Sequence, residues 1–220
     1  MTLRLGNKKV CPTKLVKVDH NNYLISNVTK VGLIQDNKGI LSGFAPQTNY
    51  ATFLVSGINN PFEFKIKIKT PETAFVSSYS RNIFRMCYGV EYEKRFGLGV
   101  NIDDENKLTM IASTNGSSWW SAGELKGNTV FALNTNYYIK IVFDGSTYTV
   151  LLSTDDSNYT TEITHSDSAL YSGINICNLG ISVASDVNPY WQGYIDLNEC
   201  YLKINNQTVW QGVVPQGTRG

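Results

Sequence analysis

Eight residues, Phe62-Glu-Phe-Lys-Ile-Lys-Ile-Lys69, alternate apolar and charged without a break. A period of two fits a β-strand, whose successive side chains leave opposite faces; a helix could not gather these four apolar residues on one side. Phe62, Phe64, Ile66 and Ile68 are therefore expected in a core, with Glu63, Lys65, Lys67 and Lys69 facing water. That is the pattern of an antiparallel sheet with one solvated face. A second stretch, Tyr137 to Leu152, is interrupted by Asp144-Gly145. This dipeptide suits a two-residue hairpin turn, which needs positive φ. Such a turn would pair Phe143 with Ser146, Ile141 with Tyr148 and Ile139 with Val150. Ile139, Ile141, Phe143, Tyr148 and Val150 would then share one face.

Further strands are expected at Tyr50–Val55, Thr73–Ser78, Ile83–Tyr88, Phe96–Ile102, Lys107–Ser113, Ile176–Val183 and Tyr194–Ile204. In the last, Ile195 and Leu197 have one parity, whereas Cys200, Leu202 and Ile204 have the other. A bulge or a change of sheet near Asn198-Glu199 would reconcile them. Turn-rich clusters separate the strands: Ser56 to Pro61, Asp103 to Asn106, Asn115 to Ser118 and Ser153 to Asn158. Many short strands with regular turns indicate an all-β sandwich or jelly roll.

The 220 residues include 19 Lys and Arg against 18 Asp and Glu, a formal charge of +1. That balance argues against a nucleic-acid binder, which carries a basic face. No stretch approaches the ~20 apolar residues of a membrane span. The first ten residues hold no apolar run of the kind a secretory signal needs. Cys11, Cys87, Cys177 and Cys200 lie too far apart for the local pairs of a zinc site and are expected as mostly buried thiols. Sequons at Asn27, Asn115, Asn158 and Asn206 carry no information about secretion in so Asn-, Ser- and Thr-rich a chain.

From Ile40 onward the elements follow a familiar order. Ile40-Leu-Ser-Gly-Phe44, Asn49-Tyr-Ala-Thr-Phe53 and the Phe62 strand precede Lys107 to Trp119. Leu133-Asn-Thr-Asn-Tyr-Tyr-Ile-Lys-Ile-Val-Phe-Asp-Gly145 and Tyr148 to Ser153 come next, and Trp191-Gln-Gly-Tyr-Ile-Asp-Leu197 and Val209-Trp-Gln-Gly212 close the series. This resembles a concanavalin A-like lectin/glucanase domain of the laminin-G-like jelly-roll kind. The resemblance implies two antiparallel sheets, with glycan often bound on a concave face or a loop edge. The opening Leu3-Arg-Leu-Gly-Asn-Lys-Lys-Val-Cys-Pro12, joined to such a domain, resembles accessory virion proteins of bacteriophages, such as head or tail fibres. The implied organisation is an attachment segment or edge extension over residues 1–35, a jelly roll over 36–214 and a polar tail over 215–220.

Fold alone does not assign an activity. Glucanases of this superfamily place alternating carboxylates on one strand. The nearest pattern here is Glu91-Tyr-Glu93, which lacks a third acid and runs into Lys94-Arg95. Asp196 and Glu199 would face opposite ways on a regular strand. His20 and His165, the two histidines, lie among polar, loop-like residues and suit a surface or turn position rather than a nucleophile's base. Asp103-Asp-Glu-Asn106 and Asp155-Asp-Ser-Asn158 could offer calcium oxygens, but Asp and Asn are also turn formers. The chain is thus expected to be no enzyme and to hold no metal or cofactor. The more suggestive signal is aromatic: Trp119-Trp120 and Tyr190-Trp191 are adjacent pairs in loop-like sequence, so one ring of each should face outward. These four residues are the candidate carbohydrate-binding set. The expected protein is a virion component that displays a module for host-surface glycans and contacts other virion proteins through its N-terminal segment. It is expected to form a homo-oligomer without nucleic-acid or membrane partners. A purely structural decoration or fibre protein and a glycan hydrolase are the alternatives.

Overall fold

The computed structural model describes residues 51–73, 75, 81–88, 97–180 and 191–212, with strand backbone alone at six short segments among the first fifty. His20, Glu91, Glu93, Tyr190, Cys11, the 215–220 tail and most of the strand expected over Thr73–Ser78 lie outside the described residues. Among the described residues regular structure is strand, broken by one short 3-10 turn at Leu197–Glu199. Near the N-terminus β1 (Leu3–Leu5) pairs with β2 (Lys8–Val10), and β3 (Val16–Val18) with β4 (Asn21–Tyr23), as separate two-stranded ribbons. β5 (Leu33–Gln35) pairs with β6 (Ile40–Ser42) and joins a large sheet.

The remaining strands are β7 (Ala51–Leu54), β8 (Phe62–Lys69), β9 (Arg81–Cys87), β10 (Leu98–Ile102), β11 (Lys107–Ala112), β12 (Leu125–Val130) and β13 (Asn136–Phe143). They continue as β14 (Thr147–Ser153), β15 (Thr160–Ser166), β16 (Ile176–Leu179), β17 (Tyr194–Asp196), β18 (Tyr201–Ile204) and β19 (Gln207–Gln211). One sheet has the order β12-β11-β10-β9-β16-β7. The other runs β15-β14-β13-β8-β17-β6-β5, with β18 also on β8 and β19 on β18. Every pairing is antiparallel.

The core lies between the sheets, where the alternation of β8 places it. Phe62, Phe64, Ile66 and Ile68 are buried with Ile139, Ile141, Phe143, Tyr148 and Val150. Phe84, Met86, Leu98, Val100 and Met110 are buried from the opposite sheet. Phe64 meets Phe84 edge-on, with centroids 4.9 Å apart and planes at 82°, which suits the ring quadrupoles.

The β13–β14 hairpin corrects the expected register. Phe143 pairs with Tyr148, Ile141 with Val150 and Ile139 with Leu152. The connection is longer than two residues because the Asp144 carboxylate accepts from the backbone N–H groups of Ser146 and Thr147, both at 2.8 Å. That side-chain turn widens the loop, with Gly145 at φ +109. A shift of two residues leaves every side chain on its expected face, so the five core residues stay together.

The charged face of β8 is also drier than expected. Lys65 is 6% exposed. Its ammonium sits 2.5 Å from Asp156 and lies over the rings of Tyr138 and Tyr201 at 5.1 and 5.8 Å. The parity break after Leu197 is the 3-10 turn, capped by Asp196, which accepts from Asn198 N. This turn brings Asp196 within 3.1 Å of Lys67 and Glu199 within 3.8 Å of Lys65, so both acids reach the same face of β8 instead of opposite ones.

Cys87, Cys177 and Cys200 are buried thiols. Burial pushes Cys87 up to about 11 and Cys200 up to about 12. Both suggested calcium loops use their oxygens in turns. Asp103 accepts from Glu105 N and Lys107 N and pairs with Lys126 at 2.6 Å. Asp155 accepts from Ser157 N and Asn158 N, both at 2.9 Å.

These turns give the fold an acid limit. Backbone N–H donors hold the carboxyls of Asp144 and Asp155 below the ordinary carboxylate range. A depressed folded pKa contributes stability above the unfolded value of ~3.9 and loses it as pH falls through the folded value. The melting temperature should therefore be flat near neutrality and drop below about pH 4. Asp155→Asn should shrink that drop in a calorimetric pH series; an unchanged drop would remove Asp155 from the effect.

Candidate functional site

The outward face of the six-stranded sheet carries polar side chains at its middle, and a bulge puts them there. β10 pairs with β9 as Leu98 with Met86 and Val100 with Phe84, then shifts so that Asn101 faces Asn82. Ile83 is the extra residue. It changes the parity of β9 and places Asn82 on the same side as Arg85. Asn82 Nδ2 donates to Asn101 Oδ1 at 2.6 Å. Asn101 Nδ2 donates to Glu124 Oε1 at 3.3 Å, and Thr109 Oγ1 donates to the same oxygen at 2.5 Å. An amide–amide–carboxylate chain thus crosses β9, β10 and β11. Asn82, Asn101 and Thr109 are 0, 3 and 1% exposed, whereas Glu124 reaches solvent.

Trp119 stands at the rim of this floor. After β11 the chain makes a tight polar turn, in which Asn115 Oδ1 accepts from Ser117 N and Ser118 N and Ser113 Oγ accepts from Gly116 N. Trp120 N then donates to Ala112 O at 2.8 Å, which pins the backbone. Adjacent side chains in extended chain diverge. Trp120 turns inward, 6% exposed, edge-on to Tyr148 and His165, and its indole N–H donates to Gly123 O. Trp119 turns the other way and remains half-buried, with the Arg85 guanidinium 5.0 Å from its ring centroid. A guanidinium at that distance is a cation–π contact. The face therefore carries a guanidinium, Arg85, against an aromatic ring, and a carboxylate, Glu124, at the end of the amide chain.

The expected aromatic set divides accordingly. Trp119 joins the polar face. Trp120 is core, and so is Trp191 at 0% exposure, with its indole N–H donating to Tyr194 O at 3.2 Å. Apolar packing on the inner side claims both rings, and this burial takes them off the surface. Tyr190 lies outside the described residues. His165, expected on the surface or in a turn, lies half-buried on β15, packs 4.5 Å from the Trp120 ring and sits 3.5 Å from Asp167. Among the described residues no three acids, histidines or cysteines are grouped to hold a metal ion.

The sequence reading missed Asn82, Arg85, Asn101, Thr109 and Glu124. One signal was available: Asn82 and Asn101 interrupt strands that are otherwise largely apolar, and a buried polar residue needs a partner. Their pairing was hidden because the bulge breaks the alternation.

No family model matches the sequence, and no curated protein matches it. Among solved structures the chain is similar to the enzymatically active domain of tailspike protein 2 from bacteriophage CBA120, with TM-score 0.52 and 11% identity. That likeness covers 86% of this chain and 31% of that one. It is also similar to a native heptameric SAP-like pentraxin from Limulus polyphemus, with TM-score 0.50 and 12% identity over 79% of this chain and 78% of that one. The fold is a concanavalin A-like jelly roll. At these identities the likeness speaks for the fold alone. Within the jelly roll, the floor and rim described above occupy the outer face of the smaller sheet. No helix among the described residues is long and apolar enough to cross a membrane.

Proposed function

We propose that the protein is a non-enzymatic component of a bacteriophage particle, a head or tail fibre or decoration protein, whose jelly roll binds host-surface glycans at Trp119. The observation that carries this reading is the Trp119 ring on Arg85, beside the hydrogen-bonded Asn82–Asn101–Glu124 chain. Sugars have apolar C–H faces and hydroxyls that both donate and accept. The half-buried Trp119 ring meets the first need and the exposed Glu124 carboxylate can accept from hydroxyls, with the buried Arg85, Asn82 and Asn101 groups fixing their positions. The fold shared with a phage tailspike domain supports the virion setting, as does the resemblance of the opening segment to accessory virion proteins. In this reading the ribbons β1–β2 and β3–β4 provide attachment to other virion proteins or to sister subunits. The partners are host glycan and virion protein, with neither nucleic acid nor membrane.

One observation favours a second reading. The polar floor is nearly closed to solvent, as in a structural decoration or fibre module that uses its surfaces for protein contacts alone. One experiment separates the readings. Wild-type protein is run in affinity gels containing mannan, dextran, hyaluronan or bacterial lipopolysaccharide, alongside Trp119→Ala. Retardation by one polysaccharide, weakened about tenfold or more by the substitution, is the expected result, since an aromatic platform contributes on the order of 1–2 kcal/mol. Uniform indifference to all four would favour the structural module, and released oligosaccharide would make the protein a hydrolase.

A further inference from the structure

Gly99 faces Arg85 across the β9–β10 ladder. A Cβ built on Gly99 would fall 2.6 Å from Arg85 Cζ, 2.8 Å from Nη1 and 3.0 Å from Nε. Ordinary contact between such atoms needs about 3.5 Å. The guanidinium therefore lies flat on the backbone of β10, in space that any side chain at this position would fill. Gly99 does not adopt a left-handed φ, so backbone conformation alone does not require glycine there. Space does. The neighbouring outward residue of the strand, Asn101, carries a side chain and is engaged with Asn82 and Glu124. Trp119 closes over the same guanidinium at 5.0 Å. Backbone, cation and ring thus form three layers at the rim of the polar floor.

We propose that Gly99 positions the cation and the ring of the glycan site. By carrying no side chain it seats the Arg85 guanidinium under Trp119, and so sets the height and orientation of cation and ring together. The functional half of this inference rests on the glycan-binding reading; the seat itself can be tested without any ligand. Because the atoms a Cβ would meet are the far end of a flexible side chain, alanine at this position displaces the guanidinium and leaves β10 in place. Gly99 is a positioning residue, acting through Arg85.

The ligand-free test is the Arg85 Nε–H resonance in nitrogen-edited NMR spectra. In the wild type the indole should shift it by its ring current, and Trp119→Ala should abolish that shift. Gly99→Ala should abolish it too, with a melting temperature close to wild type. A Gly99→Ala protein that retains the shift overturns the seat. If Gly99→Ala fails to fold, the double variant Gly99→Ala/Arg85→Ala decides: recovery assigns the clash to the guanidinium and supports the seat, whereas continued misfolding assigns it to the backbone and overturns it. The second arm uses whichever of mannan, dextran, hyaluronan or lipopolysaccharide the wild type binds. Gly99→Ala and Arg85→Ala should each weaken binding about tenfold, and the double variant no further, because both remove the same seated cation. Fully additive losses would overturn the coupling. A wild type that binds none of the four defeats the glycan reading and with it the role in binding, while the NMR arm still decides the seat.

Discussion

Trp191→Ala is expected to lower stability by about 3–5 kcal/mol, the usual cost of truncating a large buried aromatic. The residue is 0% exposed. Its ring lies 6.5 Å from Phe75, its indole N–H donates to Tyr194 O, and its backbone N–H donates to Gly180 O at 2.7 Å. Truncation removes the ring, leaves a cavity and takes one donor from the Tyr194 carbonyl. In a chain of this length the melting temperature should fall by roughly 10 °C. Trp119→Ala should cost under about 1 kcal/mol, since a half-buried rim residue leaves little cavity behind. Urea denaturation of both variants checks the contrast. Equal losses would mean that Trp119 also belongs to the core; no loss at Trp191 would mean that the site repacks. The same pair separates stability from binding, because glycan affinity should follow Trp119 and stability should follow Trp191.

Glu162→Ala is expected to cost about 2–3 kcal/mol, because one carboxylate ties together the outermost strands of both sheets on one side of the sandwich. β12 ends the smaller sheet and β15 ends the larger one. From β15, Glu162 Oε2 accepts from Asn128 N at 2.8 Å and Thr129 N at 2.9 Å, and Oε1 accepts from Thr129 Oγ1 at 2.6 Å. Gly127 makes the approach feasible, since a Cβ there would lie 2.9 Å from Oε2. Charge-assisted bonds are stronger than neutral ones, and their loss leaves edge N–H groups of β12 unpaired. Amide exchange at Asn128 and Thr129 should accelerate in Glu162→Ala, with amides in the middle of β8 changing least. Glu162→Gln keeps one acceptor oxygen and replaces the other by an NH2 donor, so it should fall between wild type and alanine. Exchange at Asn128 and Thr129 that matches wild type would dismiss the clasp.

Much of the fold is legible from strand parity. The unbroken alternation of Phe62–Lys69 places one face in the core whatever strand lies beside it. In the β13–β14 hairpin, parity survives even though the register moves by two residues, because such a shift preserves faces. The adjacent pair Trp119-Trp120 obeys the same rule, one ring in and one out. Parity does not reveal which ring goes which way. That depended on the hydrogen bond from Trp120 N to Ala112 O, a contact eight residues back along the chain.

The candidate site is where local reading stops. Asn82 and Arg85 have opposite parity and would be placed on opposite faces of a regular strand. The bulge at Ile83 unites them, and a bulge is visible only once β9 is paired with β10. Likewise Asp196 and Glu199 reach one face of β8 only because a 3-10 turn intervenes. The dryness of Lys65 requires Asp156 from a loop 91 residues away. By itself, then, the amino-acid order determined the all-β class, the inward faces of the long strands and the turn positions, since these follow from period-two alternation and local turn chemistry. Tertiary structure alone decided which polar residues meet and which tryptophan is left at the rim. Those outcomes depend on pairing between distant strands, and one extra residue in a ladder reverses every face beyond it.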